Sequence, residues 1–151
     1  MPYTKDTYTG KFTPKNLHKY VGNNKNITYR SSYELRFMKW CDLNDSILQW
    51  NSEEVVIPYL SPLDNKIHRY FVDFAIKVKT KHGEIKKYLI EVKPFRFTQQ
   101  PQQPKRKSKS FLQEVMQWEV NQAKWKFASE YAKDHGMEFM IITEKDLGMI
   151  K

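Results

Sequence analysis

A mixed α/β domain is predicted for this chain, on three observations. A helix-patterned segment begins near Ser31, two strand-like runs flank Lys81-His82-Gly83, and a long Pro- and Gly-free stretch from Phe111 leads to an apolar run ending at Thr143. The order helix, strands, helix, strand suits a central mixed sheet flanked by helices. The chain has 151 residues, 40% of them hydrophobic, which is the usual size of one domain and enough for a core without a disulfide or a structural metal. Residues 1–151 therefore read as a single domain.

Residues 1–29 carry Pro2, Gly10, Pro14 and Gly22 without periodicity and read as an irregular N-terminal arm. From Ser31 onward, Tyr33, Phe37, Trp40 and Cys41 recur at helical spacing and predict the first helix. Ile47 to Leu60, β-branched and aromatic with Pro58 inside, predicts one or two short strands, the later part at an edge; Ser61 to Asn65 is a turn. Arg69 to Lys79 and Ile85 to Lys93 predict a hairpin. Residues 95–110, rich in Pro and Gln and then basic, predict an extended mobile loop too polar to pack. Phe111 to His135 predicts a long helix stopped by Gly136, with Trp118, Gln122, Trp125 and Ser129 near one face and the aromatics packed on the sheet. Met137 to Thr143 predicts a buried strand, and a short last helix starts at Glu144.

Several classes of function are excluded by composition. The longest apolar run, around Phe139 to Ile142, falls far short of the roughly 18 residues of a membrane span, and the first thirty residues show no apolar signal core. Cys41 stands alone and the four histidines are scattered, so neither a disulfide nor a Cys/His zinc site is expected, and the setting reads as intracellular and reducing. Lys plus Arg number 26 against 17 for Asp plus Glu, a net charge of +9 that favours a polyanionic partner.

The chemistry concentrates in the hairpin. Asp73 and Glu91 both sit in apolar runs, where a carboxylate needs a cation, a hydrogen-bond network or an open cleft. If Lys81-His82-Gly83 is a three-residue loop with Gly83 left-handed, Thr80 pairs with Glu84 and Asp73 falls directly opposite Glu91. Cross-strand Cβ atoms lie about 4.5–5.5 Å apart, close enough for both carboxylates to share a divalent ion. Lys93 lies on the same face as Glu91, about 6.6 Å further along. Hard oxygens suit Mg²⁺ or Mn²⁺, and an ammonium beside them suits phosphoryl transfer. A structural ion pair on a solvated face is the competing reading of the same spacing.

Val72-Asp73 followed by Glu91-Val92-Lys93 resembles the bipartite signature of the PD-(D/E)xK nuclease superfamily, with Val72 where its name has Pro. Arg30-Ser31-Ser32-Tyr33-Glu34 resembles the extra acidic segment that many members contribute from their first helix. Tyr29 to Ser32, Glu53 to Tyr59, His68 to Asp73, Ile90 to Pro94, Asn121 to Trp125 and the strand Phe139 to Glu144 together are similar to the head completion nucleases of large tailed bacteriophages, and more distantly to transposon-encoded end-cleaving endonucleases. The resemblance implies a restriction-endonuclease-like fold and metal-dependent hydrolysis of double-stranded DNA during virion maturation. It also implies a setting in the host bacterial cytoplasm or the virion, with capsid or portal proteins as partners.

Carried over by position, Glu34, Asp73 and Glu91 are metal-binding acids, the Val92 carbonyl an additional ligand, Lys93 the catalytic lysine, and Gln122 and Lys124 secondary candidates. Ser31-x-x-Glu34 also fits a capping box, which gives Glu34 a structural role on the same spacing. Lys105, Arg106, Lys107 and Lys109 suit the phosphate backbone without reading sequence. Two other functions accommodate the charge: a non-enzymatic DNA-binding component of the capsid or portal vertex, and a resolvase or transposition-type endonuclease.

Overall fold

A computed structural model describes residues 9–104, 106 and 108–148. In chain order they form β1 (Gly10–Lys11), β2 (Thr28–Tyr29), α1 (Ser32–Leu43), β3 (Ile47–Ser52), β4 (Val56–Leu60), β5 (Ile67–Phe71), β6 (Phe74–Lys79), β7 (Ile85–Val92), α2 (Lys109–Asp134) and β8 (Glu138–Ile142). The main sheet runs β3-β6-β7-β8, antiparallel except for the parallel β7–β8 pair. This is the expected mixed sheet between helices.

Its two faces are covered by different partners. Phe37, Met38 and Cys41 of α1 and Tyr20 and Ile27 of the N-terminal segment pack with Trp50, Phe74, Ile76, Ile90 and Val92 on one face. Val120, Trp125, Ala128 and Ala132 of α2 pack with Leu89, Ile57, Tyr59, Tyr70 and Val72 on the other. Along β7 the apolar side chains therefore alternate between the two cores, as a strand buried on both faces requires. Trp40, one of the apolar positions that mark the helix in sequence, is 46% exposed, because the buried stripe of α1 runs through Phe37, Met38 and Cys41 and leaves Trp40 at its margin. Trp125 packs on the sheet as predicted, whereas Trp118 is only partly buried.

The predicted hairpin register is observed. Phe74 pairs with Ile90 and Lys79 with Ile85, the Thr80 N–H donates to Glu84 O at 2.8 Å, and Gly83 takes φ +82°. Asp73 lies just before β6, one step beyond the Phe74–Ile90 pair.

The run Arg69 to Lys79 is two strands rather than one. β5 pairs only with β4 and β6 lies in the main sheet, with the break at Val72-Asp73. Opposite the break, Glu53 adopts φ +57° and donates its N–H to Asp73 O at 3.1 Å, while Val72 N–H donates to Val55 O at 3.0 Å. A left-handed non-glycine residue turns the β3–β4 chain, and its partner must turn with it. The β4–β5 ribbon leaves the sheet and packs against α2.

Other expectations change at the C-terminal side. The helix α2 starts at Lys109, with Ser108 Oγ accepting the Phe111 N–H at 3.1 Å, and Gly136 at φ +69° follows its end. The segment before it is not simply polar: Pro94 is buried, residues Phe95–Thr98 form a 3-10 turn, and Phe95 N–H donates to Glu144 Oε1 at 2.7 Å. Strand β8 is a half-exposed edge, with Met140 on its open side, because nothing pairs beyond it among the described residues. Residues 143–148 make a hydrogen-bonded turn instead of a helix, since the Asp146 carboxylate accepts the Thr143 N–H at 2.8 Å and Gly148 takes φ +70°.

Candidate active site

The bend that releases the β4–β5 ribbon also delivers Asp73. Its Oδ2 accepts the Val92 N–H at 2.8 Å, which ties it across to the end of β7. There Glu91 is buried, Val92 follows, and Lys93 N–H donates to Ile142 O at 3.0 Å at the end of β8. Lys93 Nζ lies 3.4 Å from Glu91 Oε2, and the Tyr70 hydroxyl donates to Glu91 Oε1. Period-two alternation puts Asp73, Glu91 and Lys93 on the α2 side of the sheet.

Lys124 of α2 approaches the same place. Its ammonium lies 5.8 and 5.5 Å from the ring centroids of Tyr59 and Tyr70, and its pKa is lowered by burial against the opposing pull of Glu91 and Asp73. Tyr70 was not anticipated, and it is held well above its ordinary pKa by burial, then by Glu91 and Asp73. On a straight strand, residues three apart face opposite ways. The break at Val72-Asp73 brings Tyr70 round to the Asp73 side, so a continuous-strand reading hides it. Gln122, by contrast, is exposed.

Glu34 enters from the first turn of α1, where it caps the helix and lies near enough to Glu91 to feel its charge. Ser31 Oγ accepts the Glu34 N–H at 3.1 Å, and Glu34 Oε1 accepts the Arg30 N–H at 3.2 Å, a capping box displaced by one residue. The same carboxyl group is pushed up to about 7, by burial first and then by Glu53 and Glu91. Asp73 is raised well above the usual carboxylate range by burial, then by Glu91 and Glu34, against the Val92 N–H and Lys93. Glu53 is held by Arg30 at 3.3 Å.

The acids thus converge and repel one another. Among the described residues, however, no three His, Cys, Asp or Glu side chains stand in a ready metal-ligating array. The hydrogen bonds explain this: Glu91 is engaged by Tyr70 and Lys93, Asp73 by an amide, and Glu34 by another amide. In donor type the cluster fits a hard divalent cation, which would relieve the repulsion that raises Asp73 and Glu34.

Of the basic segment, Arg106 and Lys109 are exposed, Lys109 opening α2, whereas Lys105 and Lys107 lie outside the described residues.

Residues 44–144 match the family model described as TnsA-like endonuclease N terminal. The chain belongs to the TnsA-like endonuclease family. This TnsA-like chain is also 42% identical, over 144 residues, to the head completion nuclease of Enterobacteria phage T4, covering 93% of each chain. Asp73, Glu91, Lys93, Tyr70 and Lys124 of this endonuclease all fall within the family match, and Glu34 lies before it. Among its described residues no helix is long and apolar enough to cross a membrane.

Proposed function

We propose that this chain is a divalent-metal-dependent endonuclease that hydrolyses phosphodiester bonds of double-stranded DNA during phage head completion. The observation that carries the proposal is the meeting of Asp73, Glu91 and Lys93 at the sheet bend, with Glu34 near enough to raise Asp73. The near full-length likeness to a head completion nuclease supports the setting, a virion maturing in the host cytoplasm with capsid or portal proteins nearby.

Glu34, Asp73, Glu91 and the Val92 carbonyl would hold Mg²⁺ or Mn²⁺. The ion, when bound, lowers the pKa of an attacking water and offsets charge on the phosphate and leaving oxygens. Lys93 keeps an ammonium beside Glu91, where it orients the phosphate and stabilises developing negative charge. Tyr70 holds Glu91 from the opposite side and fixes its rotamer. Lys124, half-desolvated over two tyrosine rings, adds a second positive charge to the phosphate position.

Plasmid nicking tests the proposal. Wild type is expected to nick supercoiled DNA only with Mg²⁺ or Mn²⁺ present, and Asp73→Asn and Lys93→Ala are expected to lose that activity. Equal nicking by all three proteins rejects it. The family match favours a second reading, cleavage at element ends as in transposition, which predicts cutting confined to particular sequences.

A further inference from the structure

Beside the acidic cluster lies a cavity of about 1000 Å³, bounded by residues 95–102, the N-terminal half of α2, and Leu63 at the tip of the β4–β5 ribbon. We infer that this cavity takes unpaired bases of the DNA strand that continues past the cleaved phosphate. The preferred substrate is then duplex DNA bearing a single-stranded tail or flap. The inference rests on the nuclease reading of the neighbouring site.

Position supports it first. Gln117, Asn121 and Lys124 follow one another at i, i+4 and i+7 along a single ridge of α2; the first two line the cavity and the third reaches the acidic cluster. At 1.5 Å per residue this ridge spans about 10 Å. Phe95, two residues past Lys93, lines the cavity from the other side, so a strand held at Glu91 and Lys93 has the cavity as its next station.

The chemistry of the lining matches a base. Phe97 and Trp118 place aromatic side chains on the lining, while the Phe95 ring carries Lys145 Nζ at 3.5 Å from its centroid, and base–aromatic stacking is tolerant of sequence because every base has a π-face. Asn121 is buried with its Oδ1 accepting from Gln117 Nε2 at 3.0 Å, which fixes an amide edge on the wall. Arg96 lies over the Phe97 ring at 4.4 Å and supplies a cation for the strand's phosphates, while Glu114 is the acid among the lining residues.

Size and shape point the same way. A cavity at the upper end of the roughly 300–1000 Å³ range of organic ligand sites has room for more than one base. Intact duplex presents none to it, because its bases are stacked inside and extruding one costs a few kcal/mol.

Fluorescence anisotropy without added metal, and cleavage with Mg²⁺, compare the full chain on blunt duplex and on the same duplex carrying a single-stranded tail. Wild type is expected to favour the tailed DNA. Phe97→Ala, a change at a 38% exposed side chain, is expected to shrink the tailed-to-blunt affinity ratio by about tenfold, the weight of one base–aromatic stack. Trp118→Phe is expected to remove the tryptophan quenching that the tail produces. Equal affinity of wild type for the two DNAs, or an unchanged ratio in Phe97→Ala, overturns the inference and leaves the nuclease reading standing. Occupancy of the cavity by a capsid peptide with no response to the tail overturns it as well. Failure of wild type to bind or nick any DNA overturns the nuclease reading and this inference together.

Discussion

Two buried charge clusters within one small domain are treated in opposite ways. At the C-terminal end of α1, Lys19 Nζ donates to the carbonyls of Cys41, Asp42 and Asn44 at 2.7, 3.1 and 2.8 Å, and the Asp42 carboxylate accepts the N–H groups of Lys15 and Asn16 at 2.8 and 3.0 Å. Every charge there meets fixed backbone partners, and the result is a lock that fastens the N-terminal segment to the last turn of α1. At the sheet bend, Glu34, Asp73 and Glu91 face one another, and repulsion with burial raises two of them. The first cluster is neutralised by the chain's own backbone, whereas mutual repulsion of the second makes it the place where a bound cation would be favoured.

The largest expected effect sharpens this contrast. Asp73→Asn is expected to lower nicking by on the order of 10³-fold, as loss of a principal electrostatic element at a phosphoryl site does. The same variant is expected to be at least as stable as wild type at pH 8 without metal, since it removes a carboxylate that burial and neighbours disfavour. Thermal melts then show Mg²⁺ raising the midpoint of wild type and not of the variant. A destabilised Asp73→Asn, or one that keeps its Mg²⁺ response, breaks the distinction between the clusters.

The lock should answer in the reverse sense. Lys19→Met leaves the Cys41, Asp42 and Asn44 carbonyls without their donor, and urea unfolding is expected to register a loss of about 3–5 kcal/mol. The folded fraction is expected to nick DNA at the wild-type rate, because none of these groups touches the acidic cluster. A stable but inactive Lys19→Met would mean that the two regions communicate.

How these regions appear in the sequence differs for a physical reason. The pairing of Asp73 with the Glu91 strand was legible because Gly83 fixes the loop, the loop fixes the register, and register is discrete. The break at Val72-Asp73 was not, since Tyr70-Phe71-Val72 and Phe74-Ala75-Ile76 are equally strand-like, and the cause is the left-handed Glu53 nearly twenty positions upstream. Tyr70 was hidden with it. The lock was hidden also: nothing local marks Lys19 as buried, and its three acceptors are the ends of a helix that begins thirteen residues later. The capping role of Glu34 was legible because Ser31-x-x-Glu34 is a local pattern, and the same side chain lies close enough to Glu91 to feel its charge.

That double duty sets a smaller, pH-dependent effect. Glu34 has a folded pKa of about 7 against an ordinary 4.5, so between these values the native state binds more protons than the unfolded chain. Its contribution to stability is therefore fully present below about pH 4.5 and is lost as pH rises through about 7. In melts without metal, wild type is expected to lose stability across this window more steeply than Glu34→Gln. Saturating Mg²⁺ is expected to flatten the wild-type curve, since the ion takes the place of the proton. Parallel curves for the two proteins would assign Glu34 to the helix cap alone.

The smallest effect concerns the basic segment that leads into α2. Arg106 and Lys109 are exposed and, among the described residues, form no ion pair. Replacing Lys105, Arg106, Lys107 and Lys109 together with Gln is expected to weaken DNA binding alike on all sequences and to flatten the plot of log affinity against log salt. Each phosphate that is no longer neutralised lowers that slope by about 0.9, so the size of the change reports how many of the four cations sit on the backbone at once. Nicking at saturating DNA is expected to persist, because the acids and Lys93 are untouched. A slope equal to that of wild type would leave the segment a solvated connection into α2, and the phosphate grip would then fall to Lys93, Arg96 and Lys124.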